Sequence, residues 1–340
     1  MNYFFLILAP ITLYLINNYL KNKSYLLNYS GDTHQIFTLE KKIPLSGGIF
    51  ILFYFILFFN HQIELNIFIS ILFLLGLFSD LKFFYSAKIR FFLQVAILFA
   101  FILCNDLILK NTKVILLDQV LKYELYNYLF VLFCILILIN GTNFIDGLNT
   151  NVLGYYIIVS YFIFDANTEF FLINFSAWSL WLVFLIILYL FNFFNKLFIG
   201  DSGAYLLGFI YGYLLIKVYM DTQSVSSIYI ITLAWYPCFE TLFSIIRKFK
   251  LNQSPILPDT KHFHQLLYLS IKKKFKFSNL KTNVMSGSII NLYNFISIFI
   301  ASLHSNNTQY QILIITLNII VYYFLYLRLL KNNYSLKNRF

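Results

Sequence analysis

The sequence predicts an all-α, polytopic integral membrane protein with about ten to eleven transmembrane helices. Two observations lead to this prediction. Hydrophobic residues make up 60% of the 340 residues and charged residues only 11%, against about 25% charged residues in an average globular domain. The apolar residues also form blocks of about 14 to 20 residues, close to the helix length that crosses a bilayer. A soluble globular protein is therefore excluded.

Eleven apolar blocks give the candidate spans, and the blocks at 65–78 and 149–164 are among the shortest. The spans are residues 2–20, 45–60, 65–78, 89–104, 127–141, 149–164, 170–190, 203–219, 225–245, 285–303 and 308–328. Between spans, the apolar and β-branched residues 107–120 predict a small hairpin or an interfacial segment. No Gly/Ser-rich linker and no repeat divides the sequence, so we expect residues 1–340 to form a single integral-membrane domain.

The distribution of Lys and Arg predicts the orientation in the membrane, because cytoplasmic loops are enriched in these residues. One set of alternate loops, together with the carboxyl-terminal tail, contains 21 of the 25 basic residues. This bias places the amino terminus outside and the carboxyl terminus in the cytoplasm. The net charge of +11 then reflects topology first, and anionic lipids or substrates second; we expect no nucleic-acid partner.

Three acidic residues lie at the ends of apolar blocks, and the predicted topology brings all three to the cytoplasmic face. They are Asp80 in "LFSDLKFF", Asp146 in "NGTNFIDGLN" and Asp201 in "FIGDSG". Any one of them could merely cap a helix. The same face also carries further polar and basic residues, namely Lys88, Asn143, Arg247, His262 and His264. This convergence favours a functional site.

The residue types on this face predict the chemistry of the site. Asp and Asn oxygens suit Mg²⁺, which usually also keeps waters and binds substrate phosphates. Lys88 and Arg247 add donors for phosphate. Gly200 and Gly203 beside Asp201 permit close backbone approach at a helix start. The "GDSG" segment also resembles the surroundings of a protease nucleophile, but we expect Ser202 to accompany a metal ligand instead.

Five motifs in this order and spacing resemble those of the polyprenyl-phosphate N-acetylhexosamine-1-phosphate transferases, relatives of phospho-MurNAc-pentapeptide translocase. The motifs are "PLSGG", "SDLKFFYSAK", "NGTNFIDGLN", "FIGDSG" and "HFH", spread over about two thirds of the chain. The resemblance implies catalytic roles for Asp80, Asp146 and Asp201. It also implies that Asn143 and Asp201 bind Mg²⁺, with Mn²⁺ as a substitute.

The resemblance implies a substrate-binding role for a second set of residues, namely Lys88, Asn149, Arg247, His262 and His264. The chain departs from the family pattern at three positions. Ser79 replaces the first residue of an aspartate pair, Asn149 replaces a second aspartate, and Gln265 replaces the last histidine of the histidine motif. The loss of the first aspartate affects which residue is assigned as the catalytic base, and it does not affect the predicted fold.

The implied reaction transfers a sugar-1-phosphate from a UDP-sugar, such as a UDP-N-acetylhexosamine, to undecaprenyl or another polyprenyl phosphate, and releases UMP. The implied setting is the bacterial inner membrane, with the active site cytoplasmic and a product that initiates lipopolysaccharide or another cell-wall glycan. A homodimer is left open. Two alternatives also stay open: an inactive homologue that binds lipid-linked sugars, and a membrane transporter or flippase.

Overall fold

The computed structural model describes residues 2–28, 42–83, 86–166, 168–222, 225–254 and 260–334. In these ranges the regular structure is helical, apart from an isolated antiparallel bridge between Leu27 and Pro44. The helices in chain order are α1 (Asn2–Lys23), α2 (Gly47–Phe58), α3 (Ile63–Asp80), α4 (Ala87–Cys104), α5 (Ile115–Leu121), α6 (Glu124–Ile145), α7 (Asn151–Ala166), α8 (Thr168–Phe193), α9 (Gly200–Thr222), α10 (Ser227–Leu233), α11 (Trp235–Lys250), α12 (Phe263–Phe275), α13 (Asn279–Ser302) and α14 (Thr308–Asn333). The predicted all-α class is confirmed.

Eight helices of the described chain are long and apolar enough to cross a membrane, or nine spans if α10 and α11 are counted as one bent pair. The multi-pass membrane fold is therefore confirmed. Every predicted span coincides with a helix or with this pair, but the count is below ten to eleven. The reason is that α2 has 12 residues and α7 has 16, fewer than the about 20 that cross the hydrocarbon core.

The predicted span 225–245 is broken at Ala234, where α10 and α11 meet at 78°. Pro237 explains the break, since a proline ring inside a helix clashes with the carbonyl four residues earlier, here that of Leu233. The released carbonyl of Leu233 accepts a hydrogen bond from Tyr155 Oη at 2.8 Å. The bend therefore leaves this buried acceptor satisfied.

Helix α9 is the central helix of the bundle and packs against α2, α3 and α6. Small residues allow its amino-terminal end to approach α2 and α3 closely. A Cβ atom added to Gly76 of α3 would lie 2.4 Å from Ser202 Cα, and one added to Gly48 of α2 would lie 2.7 Å from the backbone nitrogen of Gly203. These contacts hold the start of α9 between two neighbouring helices.

At the opposite end of the bundle, the predicted hairpin or interfacial segment 107–120 contains most of the short helix α5. Ile115 and Leu116 of this helix are each 78% exposed, as expected for a helix lying at an interface. The preceding loop is tied to the core by Asn127, which accepts from the Leu109 N–H and donates to the Leu109 carbonyl. The structure thus has a short helix here, and not a hairpin.

We predict that Gly76→Ala destabilises the bundle, whereas Gly212→Ala in α9 does not. Alanine has a higher helix propensity than glycine, by about 1 kcal/mol, and this gain is the same at both positions. The new Cβ would overlap the Ser202 backbone at position 76, but at position 212 its nearest neighbour is Ile135 Cγ2 at 3.4 Å. Overpacking of this kind costs about 1–3 kcal/mol. Apparent unfolding temperatures in detergent measure the difference, and an equal effect of the two variants would contradict this packing.

Candidate active site

The candidate active site lies where the carboxyl-terminal ends of α3 and α6 meet the amino-terminal ends of α4 and α9. Helix α3 ends at Asp80, and Asp201 lies in the first turn of α9. Asn143 lies in the last turn of α6, and Arg90 in the first turn of α4. The site is therefore built on helix ends at one side of the bundle.

Asp80 caps the start of α9 from a neighbouring helix. Its Oδ1 accepts the Asp201 N–H at 2.8 Å, and its Oδ2 accepts the Ser202 N–H at 3.1 Å and Ser202 Oγ at 2.7 Å. Gly200 has a φ of +71°, and a Cβ there would lie 2.7 Å from Asp80 Oδ2. These contacts make Asp80 a positioning residue for Asp201, while its predicted catalytic role stays a prediction. Ser202 Oγ is used for the same cap.

Three side chains converge on the carboxylate of Asp201. Asn143 Nδ2 donates to Oδ1 at 2.7 Å, and Arg90 Nη1 donates to Oδ2 at 2.7 Å. Ser79 Oγ donates to Oδ2 at 2.5 Å and also accepts from Arg90. The side chains of Arg90 and Asp201 remain 24% and 29% exposed. The structure thus brings together the two predicted metal ligands, Asn143 and Asp201, at a position that solvent reaches.

Asp146 follows directly after α6 and completes the group of three predicted acidic residues. It is half-buried. Burial, and then the charges of Asp201 and Asp80, raise the pKa of Asp146 well above its usual value. Asp146 follows Asn143, which contacts Asp201, by three residues, so the three predicted acidic residues lie at the same end of the bundle.

The donor set can be tested against Mg²⁺. The described ranges contain no group of three or more His, Cys, Asp or Glu side chains that could hold a metal ion. Mg²⁺, however, usually binds through one or two carboxylates together with waters and substrate phosphates. Asp201 and Asn143 supply oxygen ligands of this kind at a position that solvent reaches. These residues therefore fit an Mg²⁺ ion that binds together with a phosphate-bearing substrate.

A second polar cluster is centred on Glu240 of α11, whose carboxylate is buried. Its Oε1 lies 2.9 Å from His262 Nδ1 and accepts the Phe263 N–H at 3.3 Å. Its Oε2 accepts Tyr322 Oη at 2.5 Å. With Glu240 as the acceptor, His262 carries a proton on Nδ1. The ring of His262 packs 5.3 Å from that of Phe144, next to Asn143, so this cluster borders the Asp201 centre.

His264 lies behind the segment that contains Asp146. Its ring is fully buried and nearly parallel to that of His262, with centroids 5.7 Å apart. Burial, followed by the neighbouring His262, lowers the pKa of His264 to about 3, so the ring is neutral. A Cβ on Gly147 would lie 2.2 Å from His264 Nε2. The structure places His264 as a packing residue against Gly147, and its predicted contact with substrate stays a prediction.

Arg247 fastens the segment before α12 to α11 and α14. Its Nη1 donates to the Lys261 carbonyl and to Tyr326 Oη, both at 2.8 Å. Its guanidinium carbon also lies 5.7 Å from the centre of the Tyr326 ring. Arg247 therefore helps to hold His262, and its predicted role towards substrate is not tested by these contacts.

The two remaining predicted substrate-binding residues differ in exposure. Asn149 is 2% exposed; its Nδ2 donates to the Asn192 carbonyl at 2.8 Å, and its backbone N–H donates to Asn283 Oδ1 at 2.6 Å. It therefore ties the start of α7 to α8 and α13. Lys88 is exposed in the first turn of α4, two residues before Arg90. Both substrate-binding roles stay predictions.

Comparison with known proteins identifies relatives of this chain. It is 27% identical over 239 residues to the undecaprenyl-phosphate alpha-N-acetylglucosaminyl 1-phosphate transferase of Thermotoga maritima, covering 68% of this chain and 70% of that protein. A profile described as glycosyl transferase family 4 matches residues 62–219, which contain the three predicted acidic residues. This match covers slightly less than half of the chain, and together with the Thermotoga maritima relative it supports glycosyl transferase family 4 as the family of this chain.

Two further relatives align over shorter parts. The chain is 29% identical over 201 residues to the probable undecaprenyl-phosphate N-acetylglucosaminyl 1-phosphate transferase of Bacillus subtilis, covering 58% of this chain and 55% of that protein. It is 25% identical over 211 residues to the undecaprenyl-phosphate alpha-N-acetylglucosaminyl 1-phosphate transferase of Escherichia coli O157:H7. This alignment covers 58% of this chain and 56% of that protein. The chain thus spans slightly more than half the length of these two relatives.

Sequence reasoning missed two residues of the candidate site, Arg90 and Glu240. Lys88 and Arg90 are two apart, and residues at this spacing face different sides of a helix. Only packing therefore decides that Arg90, and not Lys88, contacts Asp201. Glu240 lies in the middle of an apolar block, and a buried carboxylate at such a position is rare unless it is paired. A lone carboxylate inside an apolar block was therefore the sequence signal that could have identified Glu240.

We predict that Asp80→Asn lowers the stability of the protein more than Ser79→Ala does. An asparagine amide would face the N–H donors of Asp201 and Ser202, and each buried donor left unsatisfied costs about 1–3 kcal/mol. Ser79→Ala removes one donor to Asp201, which keeps its bonds to Arg90 and Asn143. Apparent unfolding temperatures in detergent check the order. Equal temperatures for both variants would show that Asp80 does not hold α9.

Proposed function

We propose that this protein transfers N-acetylglucosamine-1-phosphate from UDP-N-acetylglucosamine to undecaprenyl phosphate and releases UMP. The observation that best supports this chemistry is the arrangement at the capped start of α9. There, Asn143, Ser79 and Arg90 all donate to the carboxylate of Asp201. The names of the three relatives support the choice of sugar and of lipid. The match to the family 4 profile and those names support the reaction class.

In the proposed reaction, a phosphate oxygen of the lipid acceptor attacks the phosphorus that carries the sugar. The bond from this phosphorus to the bridging oxygen of UMP breaks, and UMP leaves with that oxygen. A phosphate monoester has its second pKa near about 6, so the acceptor is already mostly dianionic at neutral pH. A strong general base is therefore unnecessary, and the replacement of a family aspartate by Ser79 is compatible with turnover.

The protein's main contribution would be positioning and charge stabilisation, as in other phosphoryl transfers. Mg²⁺, or Mn²⁺ in its place, would be held by Asp201 and Asn143 and would neutralise charge on the diphosphate. Arg90 forms an ion pair with the carboxylate of Asp201, and its guanidinium can also donate to phosphate oxygens. Asp80 keeps the backbone of Asp201 and Ser202 fixed while the ligands bind.

The nucleotide end of the donor is assigned to the neighbourhood of His262. Glu240 and Tyr322 fix the position of the imidazole, and Arg247 fixes the backbone of Lys261 just before it. The ring of His262 packs beside Phe144 and is 7% exposed. A uridine bound there would place its diphosphate towards Asn143 and Asp201.

We further propose that the site faces the cytoplasm of a bacterial inner membrane and that the product initiates a cell-envelope glycan. The loops that carry 21 of the 25 basic residues include Arg90, Arg247 and Lys261, which lie at the site end of the bundle. The site lies at helix ends, whereas the ionisable residues of transporters usually lie near mid-membrane. This placement favours the enzyme over a transporter or flippase.

We predict that membranes containing the protein convert radiolabelled UDP-N-acetylglucosamine and undecaprenyl phosphate into a labelled lipid that excess UMP converts back. A chelator should abolish the reaction, and Mg²⁺ or Mn²⁺ should restore it. Asp201→Asn should reduce the rate by about 10²-fold or more, the scale of losing one electrostatic group. Asp221→Asn, at the other end of α9, is the matched control and should leave the rate unchanged. A correctly inserted protein without lipid product would support the inactive homologue.

We also predict that Glu240 acts through His262. Glu240→Gln should raise the KM for the UDP-sugar about tenfold with little change in kcat, because a charged hydrogen bond contributes about 1.5–3 kcal/mol. The same change should have no further effect on KM in a His262→Ala background, since coupled residues are not additive. The exposed Glu64→Gln serves as control. Additive effects of Glu240→Gln and His262→Ala would show that Glu240 has only a structural role.

A further inference from the structure

The end of α12 and the turn after it form a strongly basic segment that the proposed reaction does not use. Residues 272–281 contain five lysines, and residues 260–340 contain ten Lys and Arg but no Asp or Glu. Lys273, Lys274, Lys276 and Lys281 are exposed. We call residues 272–281 the basic turn. Its positive charge is not balanced by acidic residues of the same part of the chain.

Two phenylalanines are interleaved with these lysines and stack on each other. Helix α12 ends at Phe275, and Lys276 adopts a left-handed conformation with a φ of 53°. The turn brings Phe277 to a centroid distance of 5.4 Å from Phe275, with the rings 8° from parallel. Lys281 Nζ lies 4.1 Å from the Phe277 ring centre, and Phe275 remains 46% exposed. The basic turn therefore presents an exposed aromatic pair flanked by ammonium groups.

The ends of two candidate membrane spans lie at the basic turn, and they fix its depth in the membrane. Helix α13 begins at Asn279, so Lys281 lies in the first turn of a span. Lys273 Nζ donates to the Asn332 carbonyl at 3.2 Å, in the last turn of the α14 span. Near the same end of α13, Asn283 accepts the Asn149 N–H. The basic turn therefore lies at the level of the lipid headgroups, on the same side of the bundle as the Asp201 centre.

We propose that the basic turn docks onto anionic phospholipid headgroups of the leaflet beside the active site. In the contacts described for this segment, the lysine ammonium groups meet backbone carbonyls and aromatic rings and not carboxylates. Juxtamembrane lysine clusters attract anionic lipids, and aromatic side chains prefer the interface. Since α12 begins beside His262, docking would hold this helix against the membrane surface. The proposal does not depend on the reaction proposed above.

The experiment measures lipid selectivity of the purified, delipidated full-length protein. Wild type is incubated with equal amounts of phosphatidylglycerol and phosphatidylcholine of the same chain length, and retained lipids are counted by native mass spectrometry. We expect phosphatidylglycerol to be enriched at low salt and the enrichment to fall at high salt. Lys274→Gln/Lys276→Gln should weaken phosphatidylglycerol binding by about fivefold per lysine.

The matched control is Lys110→Gln/Lys122→Gln, which removes the same charge from exposed positions at the other end of the bundle. It should keep the wild-type enrichment, and both double variants should unfold at the wild-type temperature in phosphatidylcholine nanodiscs. Equal retention of the two lipids by wild type, or equal losses in the two double variants, would overturn the proposal. Displacement of phosphatidylglycerol by inorganic phosphate at similar concentration would assign the basic turn to free phosphate and would also overturn it.

Discussion

The cap that Asp80 places on the start of α9 is the interaction on which the rest of the site depends. The first N–H groups of a helix have no partner within the helix, and here they lie among packed neighbours at the end of a membrane span. Asp80 accepts from Asp201 and Ser202, and the small residues Gly48, Gly76 and Gly200 leave room for this approach. Without the cap, the carboxylate of Asp201 would have no fixed position relative to Asn143 and Arg90.

The second constraint is the buried carboxylate of Glu240. Removing a charge from water is costly unless the group is paired and fully hydrogen-bonded. Glu240 meets this condition through His262, the Phe263 N–H and Tyr322, so α11, α12 and α14 are joined at one point. The break between α10 and α11 directs α11 towards this point, and Arg247 adds a second attachment to α14 through Tyr326. The nucleotide side of the proposed site therefore depends on the last helices of the chain.

Much of the fold could be predicted from the sequence because membrane spans carry a strong local signal. Apolar blocks gave every span, and the acidic residues at their ends placed Asp80, Asp146 and Asp201 at the same end of the bundle. The breaking of span 225–245 was in principle visible at Pro237, but the partner for the freed carbonyl, Tyr155, comes from α7 and is not encoded locally. The shortness of α2 and α7 likewise lowers the span count below the predicted one.

The details of the site were less predictable because they are set by contacts between distant segments. Nothing local distinguishes the exposed Lys88 from Arg90, which contacts Asp201 across 111 positions of sequence. The substrate-binding role of Asn149 stays a prediction, and no local pattern predicts that its Nδ2 donates to Asn192 and its backbone N–H to Asn283. Pairing of Glu240 with His262 depends on how the loop before α12 folds back, and hydrophobic periodicity carries no information about that.

The most direct test of the account is the binding of Mn²⁺ to the purified protein, measured by electron paramagnetic resonance with and without UDP-N-acetylglucosamine. The central claim is that Asp201 and Asn143 form an incomplete oxygen site that a substrate diphosphate completes. The account predicts strong protein-bound Mn²⁺ only when the nucleotide sugar is present, and loss of that signal in Asn143→Ala and Asp201→Asn. Undiminished nucleotide-dependent Mn²⁺ binding in both variants would contradict it.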